Sequence, residues 1–381
     1  MRIGILCHPT YGGSGVVASG LALSLAERGN RVHLFSHDVP PRLARAQGHR
    51  VELHVAQGSP YPLFHSTPHD LAIMSRVLDL HRSEGLDVLH AHYALPHAVT
   101  ALVVRAAATD AGLPCLPVVT TLHGTDITLV GNDPSYAPLT QFAITGSDAV
   151  TAVSKDLAER TRANFVGQAP FGIHVIPNFV DLDEFRPATQ KKERPTAVHV
   201  SNFRRVKRVP WLVEAFADAA EVLVARGFDP QLSLVGDGPQ LGEARRIARE
   251  RGMCDRVSFL GLRSGLADLL SEADLFCYAS TEESFGLSAL EAMASATAVL
   301  GTRVGGVPEV VLHGETGHLV DVDDRAGYGE ALVELLGDRE ATRLMGERAR
   351  AHAAAAFDRH SVVQRYEELY RDVISRSSTY C

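Results

Sequence analysis

The sequence predicts an α/β protein of two successive doubly wound domains, each a parallel sheet covered by helices on both faces. Three observations predict it. Apolar runs of four or five residues recur between amphipathic helical stretches, as they do in sheets buried on both faces. The alternation breaks once, at a polar, proline-bounded segment, and then restarts. The 381 residues also exceed the roughly 100–200 of one ordinary domain.

In chain order, Ile3–Cys7 reads as a strand, followed by a glycine-rich turn and a helix over Val16–Glu27 that stops at Gly29-Asn30. Val32–Phe35, Val88–His90, Val118–Thr121, Ala149–Ala152 and Val175–Ile176 are further strands. Arg186–Pro195 (RPATQKKERP) suits a linker. Beyond it come strands at Ala197–Ser201, Leu232–Val235, Val257–Leu260, Leu275–Tyr278 and Ala298–Gly301, with a helix at Trp211–Ala225. From Arg339 the chain is helix-like and charged, through Tyr366–Ile374. The expected domains are 1–183 and 184–357, with a terminal helix over 358–381 packing back on the first.

Hydrophobic residues make up 45% and charged residues 22%, an ordinary globular balance. A net charge of −8 argues against a nucleic-acid platform. The five cysteines are scattered without a CxxC pair, so reduced thiols and no zinc site are expected. Met1-Arg2-Ile3-Gly4-Ile5 enters a strand at once, and no apolar run reaches the roughly 18 residues of a membrane span. A cytoplasmic protein without membrane attachment is expected. A homo-oligomer is left open.

Ligands of doubly wound sheets bind beyond the carboxyl ends of the strands, so two such domains would place an active site in the cleft between them. Candidate residues cluster after strands. Tyr11-Gly12-Gly13-Ser14-Gly15 is either a tight turn or an anion site at a helix start. Its spacing is not GxGxxG, and no ribose-binding acid ends the second strand, which disfavours a dehydrogenase. His90, His92 and His97 invite a metal, but the run holds no carboxylate, and structural or substrate contacts fit better. His123 lies at a strand end, where Asp126 can cap the next turn or orient the imidazole.

In the second half, Asn202-Phe203-Arg204-Arg205-Val206-Lys207-Arg208 offers four cations after a strand, either a solvated face or a diphosphate grip. Gly236-Asp237-Gly238-Pro239 is a turn that can face a nucleotide. Glu283 lies in a loop and Glu291 about one turn into the helix that begins near Leu287. Both carboxylates can then face one ligand, while the amides near Leu287 and Ser288 bind phosphate. Gly305-Gly306-Val307-Pro308-Glu309 reads as a rigid loop that supports the glutamate loop.

The Glu283…Glu291 segment, with GGVPE and SNFRRVKR, resembles the EX7E signature of retaining glycosyltransferases of the two-domain, Rossmann-like GT-B fold. These form the large group 1, or family 4, that includes sucrose synthases. YGGSG, HAHYALPHA, VTTLHGTDIT, VSNFRRVKRV, LVGDGP and ESFGLSALEAMA resemble one subgroup, the N-acetylglucosaminyl-malate synthases of bacillithiol biosynthesis. That likeness runs from Arg2 to Tyr370.

The resemblance implies UDP-N-acetylglucosamine as donor, L-malate as acceptor and retention at the anomeric carbon. With cations and helix amides to meet the diphosphate, and no DxD-like acidic pair in a suitable loop, neither cofactor nor essential metal is expected. The resemblance places Glu283 and His123 at the reacting sugar and Glu291 on the uridine ribose. Lys207, Arg204 and Arg205 would hold the diphosphate, helped by Gly13, Leu287 and Ser288. Asn202, Gly236, Phe285 and Gly286 complete the donor set, and Ser14, Tyr93 and Thr121 line the malate pocket. The subgroup carries an arginine where Gln141 stands, at an acceptor position. Its MACGVPV string reads MASATAV here, Met293–Val299. The same fold also hosts transfer to an inositol phosphate, and UDP-N-acetylglucosamine epimerases.

Overall fold

The computed structural model describes residues 1–10, 12–46, 48, 50–58, 67–128, 130–131, 133–166 and 172–380, without the side chains of 378–380. Tyr11 and Cys381 lie outside the described residues. The chain forms two compact units, 1–178 with 360–381, and 179–359.

The first unit holds seven strands: β1 (Arg2–Leu6), β2 (Arg31–Ser36), β3 (Val51–Val55), β4 (Val88–His92), β5 (Val118–Leu122), β6 (Ala149–Ala152) and β7 (Ile173–Val175). Their order is β3-β2-β1-β4-β5-β6-β7, and every pairing is parallel. The second unit holds β8 (Thr196–Val200), β9 (Gln231–Val235), β10 (Val257–Gly261), β11 (Leu275–Cys277), β12 (Ala298–Thr302) and β13 (Gly317–Val320). These run in the order β10-β9-β8-β11-β12-β13, again all parallel. Both sheets therefore reverse direction of growth beside their first strand, between β1 and β4 and between β8 and β11. Loops at that point are the ones a doubly wound sheet offers to ligands.

Burial explains which strands show in the sequence. β4, β5 and β12 are buried at every residue and read as apolar runs. β3 is an edge strand with Glu52, Leu53, His54 and Val55 in partial or full contact with solvent, so its run Val-Glu-Leu-His-Val does not stand out. β13 is only four residues long. Neither is expected from the sequence. In the second unit, helix Val209–Ala225 buries Leu212, Val213 and Phe216 in one core cluster that also holds Leu234, Leu300 and Tyr328. Each such side chain, fully withdrawn from water, contributes about 1.5–3 kcal/mol before entropy is counted.

The helix Arg359–Tyr380, within the expected 358–381, is tied into the first unit. Glu367 accepts from Asn30 Nδ2 at 2.7 Å and Arg28 Nε at 3.1 Å, and Tyr370 is hydrogen-bonded to His90 at 2.7 Å. Cys7, Cys254 and Cys277 are free thiols. Cys115 is disulfide-bonded, against the expectation of reduced thiols throughout. Sequence spacing carries no record of which cysteines the fold brings together. Among the described residues no helix is long and apolar enough to cross a membrane.

Candidate functional site

In the first unit, the carboxyl ends of β1, β4 and β5 carry Gly13, Ser14, Tyr93 and His123. Gly13 has φ 58° and precedes helix Ser14–Glu27, which has no side-chain cap. A Cβ there would meet nothing, so only its dihedral requires glycine. Ser14 is 3% exposed, at the helix start.

Tyr93 follows β4 with φ 87°, a conformation L side chains rarely adopt. Its N–H donates to the Thr121 carbonyl at 2.9 Å, which fixes the turn. The ring lies between His8 and His123, at centroid distances of 5.6 and 5.3 Å. Strained backbone at a strand's carboxyl end is a common mark of a functional position.

Asp126 does not orient the His123 ring. Its carboxylate accepts the backbone N–H groups of Ala94, His123 and Gly124, at 3.1, 3.2 and 2.9 Å. It staples the β4 and β5 loops together. Burial raises its pKa to about 6, and those N–H bonds oppose the rise. The imidazole partner is instead His92, whose Nδ1 lies 2.9 Å from His123 Nε2.

His90 and His92 share a face of β4, with ring centroids 4.4 Å apart. His90 faces inward, hydrogen-bonded to Tyr370 and Thr121 at 2.7 Å each. Burial lowers His90 to about 3, with His123 adding to the effect. Burial also lowers His123 to about 3, helped by His8, although part of its surface stays accessible. The cluster is thus neutral imidazole.

Thr121 is fully buried, and its hydroxyl bonds His90, Thr151 and, at 3.5 Å, Tyr366. That network occupies the hydroxyl, so the structure puts Thr121 behind the loops rather than on an open acceptor surface. Gln141 is exposed on helix Ala137–Gly146.

In the second unit, the turn after β8 is held from below by His199. Its Nδ1 donates to the Cys277 carbonyl at 2.8 Å, and its Nε2 lies 2.8 Å from Ser201 Oγ, which accepts the Phe203 N–H. Phe203 is fully buried and pins the turn, leaving Asn202, Arg204 and Arg205 exposed. Arg208 is not a free cation. It donates to the Val322 carbonyl at 2.6 Å and stacks 4.4 Å over Trp211. Gly236 has a packing reason of its own: a Cβ would sit 1.8 Å from the Ser201 carbonyl oxygen.

Lys207 pairs with Glu283. The glutamate loop is braced from two sides, because Thr281 N–H donates to the Val206 carbonyl and Gly306 N–H to the Glu283 carbonyl, at 2.9 and 3.1 Å. Gly286, at φ 96°, starts helix Leu287–Ala294 without a side-chain cap, so Leu287 and Ser288 lie in an uncapped first turn. Glu291 is 9% exposed, one turn into that helix. The Phe285 ring is buried against Phe357, 5.7 Å away edge to face. That ring anchors the loop in the core. His92 supports His123 as the structural contact expected of it, whereas His199 is a support that the sequence does not reveal. A lone histidine inside an apolar strand gives no sign of what it bonds.

Among the described residues, His33, Glu52 and His54 have the spacing to hold a metal ion. They sit at mid-strand on β2 and β3. Arg76 Nε donates to His54 Nδ1, and Arg31 pairs with Glu52. A metal-bound histidine normally donates from its second nitrogen, so these contacts describe a hydrogen-bond network.

Residues 11–184 match the family described as Glycosyltransferase Family 4, and residues 194–338 match Glycosyl transferases group 1. The chain is 40% identical to N-acetyl-alpha-D-glucosaminyl L-malate synthase of Bacillus anthracis, over 98% of this chain and 97% of that one. It is 31% identical to D-inositol 3-phosphate glycosyltransferase of Nocardia farcinica, over 90% and 81%. Sucrose-phosphate synthase from Thermosynechococcus elongatus shares the fold, with a TM-score of 0.78 at 23% identity over 99% and 100% of the two chains. Both halves of the molecule are thus matched, and this chain belongs to the group 1, family 4 glycosyltransferases and is a hexosyltransferase.

Proposed function

We propose that the chain moves N-acetylglucosamine from UDP-N-acetylglucosamine to the hydroxyl of L-malate, with retention, as the first step of bacillithiol biosynthesis. One observation carries the reading: the likeness to the Bacillus anthracis malate synthase covers nearly the full length of both chains. It therefore includes the histidine loops of the first unit as well as the glutamate loop of the second. The inositol-phosphate relative is more distant and matches less of its own length.

Glycosyl transfer passes through an oxocarbenium-like state while negative charge grows on the departing diphosphate. Lys207, Arg204, Arg205 and the uncapped amides near Leu287 and Ser288 supply preorganised positive charge for it. That set serves in place of a metal ion, and no cofactor is needed. Glu291 holds the ribose hydroxyls and Glu283 the sugar. The acceptor attacks from the face the diphosphate leaves, and the diphosphate takes its proton. Tyr93 and Ser14 meet the acceptor, and Thr121 acts from behind through His90. A nucleotide-sugar donor suits a cytoplasmic setting.

The test is incubation with UDP-N-acetylglucosamine and L-malate, D-malate, inositol 3-phosphate or no acceptor, following UDP release and the anomeric coupling of the product. Release with L-malate alone, giving an α-linked product, supports the reading. Conversion of the donor into its UDP-sugar epimer without acceptor would identify an epimerase. Turnover of inositol 3-phosphate in preference to malate overturns the acceptor assignment.

A further inference from the structure

His92 and His123 share a single hydrogen bond, and that bond decides which nitrogen of His123 carries its proton. His92 Nδ1 and His123 Nε2 are 2.9 Å apart, with the rings stacked at 25°. His92 is fully buried, and its other nitrogen, Nε2, has no partner among the described residues. The rings facing this pair are His90 beside His92, and Tyr93 beside His123. His97 and His8 add their charge effects from nearby. Every histidine among them lowers the pair's basicity, and burial lowers it most, so both rings are neutral.

Two arrangements of one proton per ring remain. If His123 donates from Nε2, His92 must keep its own proton on Nε2, a buried N–H with no acceptor. If His92 donates from Nδ1, its Nε2 is a bare lone pair. Orphaned buried N–H groups are rarer in proteins than orphaned acceptors. The second arrangement is therefore the favoured one.

We infer that His92 is a positioning residue that donates from Nδ1 to His123 Nε2 and so locks His123 as the neutral Nδ1–H tautomer. His123 then presents a hydrogen-bond donor at Nδ1 and no free lone pair at either nitrogen. It can donate to a sugar oxygen or to charge developing on one, but it cannot take a proton. The functional half of the inference rests on the reading that His123 meets the donor sugar near the reacting centre. The tautomer itself does not.

The test uses the full chain with ¹⁵N-labelled histidine. Long-range proton–nitrogen spectra above pH 7 separate protonated from bare ring nitrogens, and His123→Gln assigns the signals. His123 is expected to show a protonated Nδ1 and a bare Nε2. A protonated Nε2 in the native chain overturns the inference outright, with no variant needed.

His92→Asn keeps an amide donor near the Nδ1 position and is expected to hold both the tautomer and kcat within about tenfold. His92→Asp offers only acceptors and is expected to move the proton of His123 to Nε2. It should lower kcat about 100-fold or more with little change in KM, since a wrong tautomer can cost a catalytic histidine up to about 10⁴-fold. An Asp variant that leaves the tautomer unmoved overturns the lock. A confirmed tautomer with a fully active His123→Ala variant instead overturns the placing of His123 at the reacting centre.

Discussion

Lys207 and Glu283 form an ion pair that joins the loops after β8 and β11 across 76 residues of sequence. Their side chains are 21% and 23% exposed. Each neutralises the other before any ligand arrives, and both are members of the proposed donor site. Lys207 keeps two further hydrogens for a diphosphate.

Glu283→Gln removes the charge and keeps the shape. Turnover is expected to fall about 100-fold or more, the scale of a lost stabilising group at a reacting centre, while UDP binds at least as well because Lys207 is released. Initial rates and UDP titration calorimetry check both halves. Full activity in this variant would remove Glu283 from the reaction.

Lys207→Met tests the partner. A charge-assisted hydrogen bond is worth about 1.5–3 kcal/mol, so UDP affinity is expected to drop roughly 10- to 150-fold. Arg204 and Arg205 are exposed on the same turn. If either held the diphosphate alone, Lys207→Met would leave affinity intact, and calorimetry would show it.

Gly236→Ala is expected to destabilise the second unit by about 3 kcal/mol or more, the range of a forced backbone clash. The residue has φ 131°, and its new Cβ would lie 1.8 Å from the Ser201 carbonyl oxygen. Neither backbone can yield without disturbing the turn that carries Asn202 and Lys207. Urea unfolding followed by the lone Trp211 reads the change. A loss under 1 kcal/mol would mean that the two loops are not pressed together.

These pairings mark the limit of what the sequence makes legible. The two sheets show as apolar runs because β4, β5 and β12 are buried on both faces, and β3 stays hidden because an edge strand mixes Glu52 and His54 into its pattern. The glutamate loop shows because strand, loop and helix start are contiguous. Contacts between distant segments do not show. Nothing in the sequence says that the Phe285 ring packs on Phe357. Thr121 reads like an acceptor contact until His90 and Thr151 are found on its hydroxyl. Asp126 stands three residues from His123, yet the ring's partner is His92, 31 residues back.

The neutral histidines make stability pH-dependent. Burial holds His90 and His123 at about 3 and His199 at about 4, against about 6.5 in an unfolded chain. Below that value the unfolded state binds protons that the folded state refuses, so stability falls as pH falls. Asp126 acts oppositely: at about 6 when folded, it gains stability as pH drops towards its unfolded value of about 3.9. Three groups outweigh one. The thermal midpoint is expected to be clearly lower at pH 5 than at pH 7.5, and an equal or higher midpoint at pH 5 contradicts neutral burial.

Glu367 anchors the terminal helix to the first unit. It is 4% exposed and holds Asn30 and Arg28, with Arg371 at 3.5 Å on its own helix. Burial opposes its charge, and the bonds from Asn30 and Arg28 outweigh that, so its carboxyl titrates below the usual range. The stability it adds is present above about pH 4.3 and lost as pH falls further. Breaking a buried pair costs about 3–5 kcal/mol, but Arg28 is 33% exposed and water can take part of its place. About 2 kcal/mol is then expected for Glu367→Ala, a fall in midpoint of about 4–8 °C for a unit of this size. Glu367→Gln keeps an acceptor for Asn30 and should lose less. A midpoint within 1 °C of the parent for the Ala variant would show that Tyr366 and Tyr370, buried on the same helix, hold it without the charge.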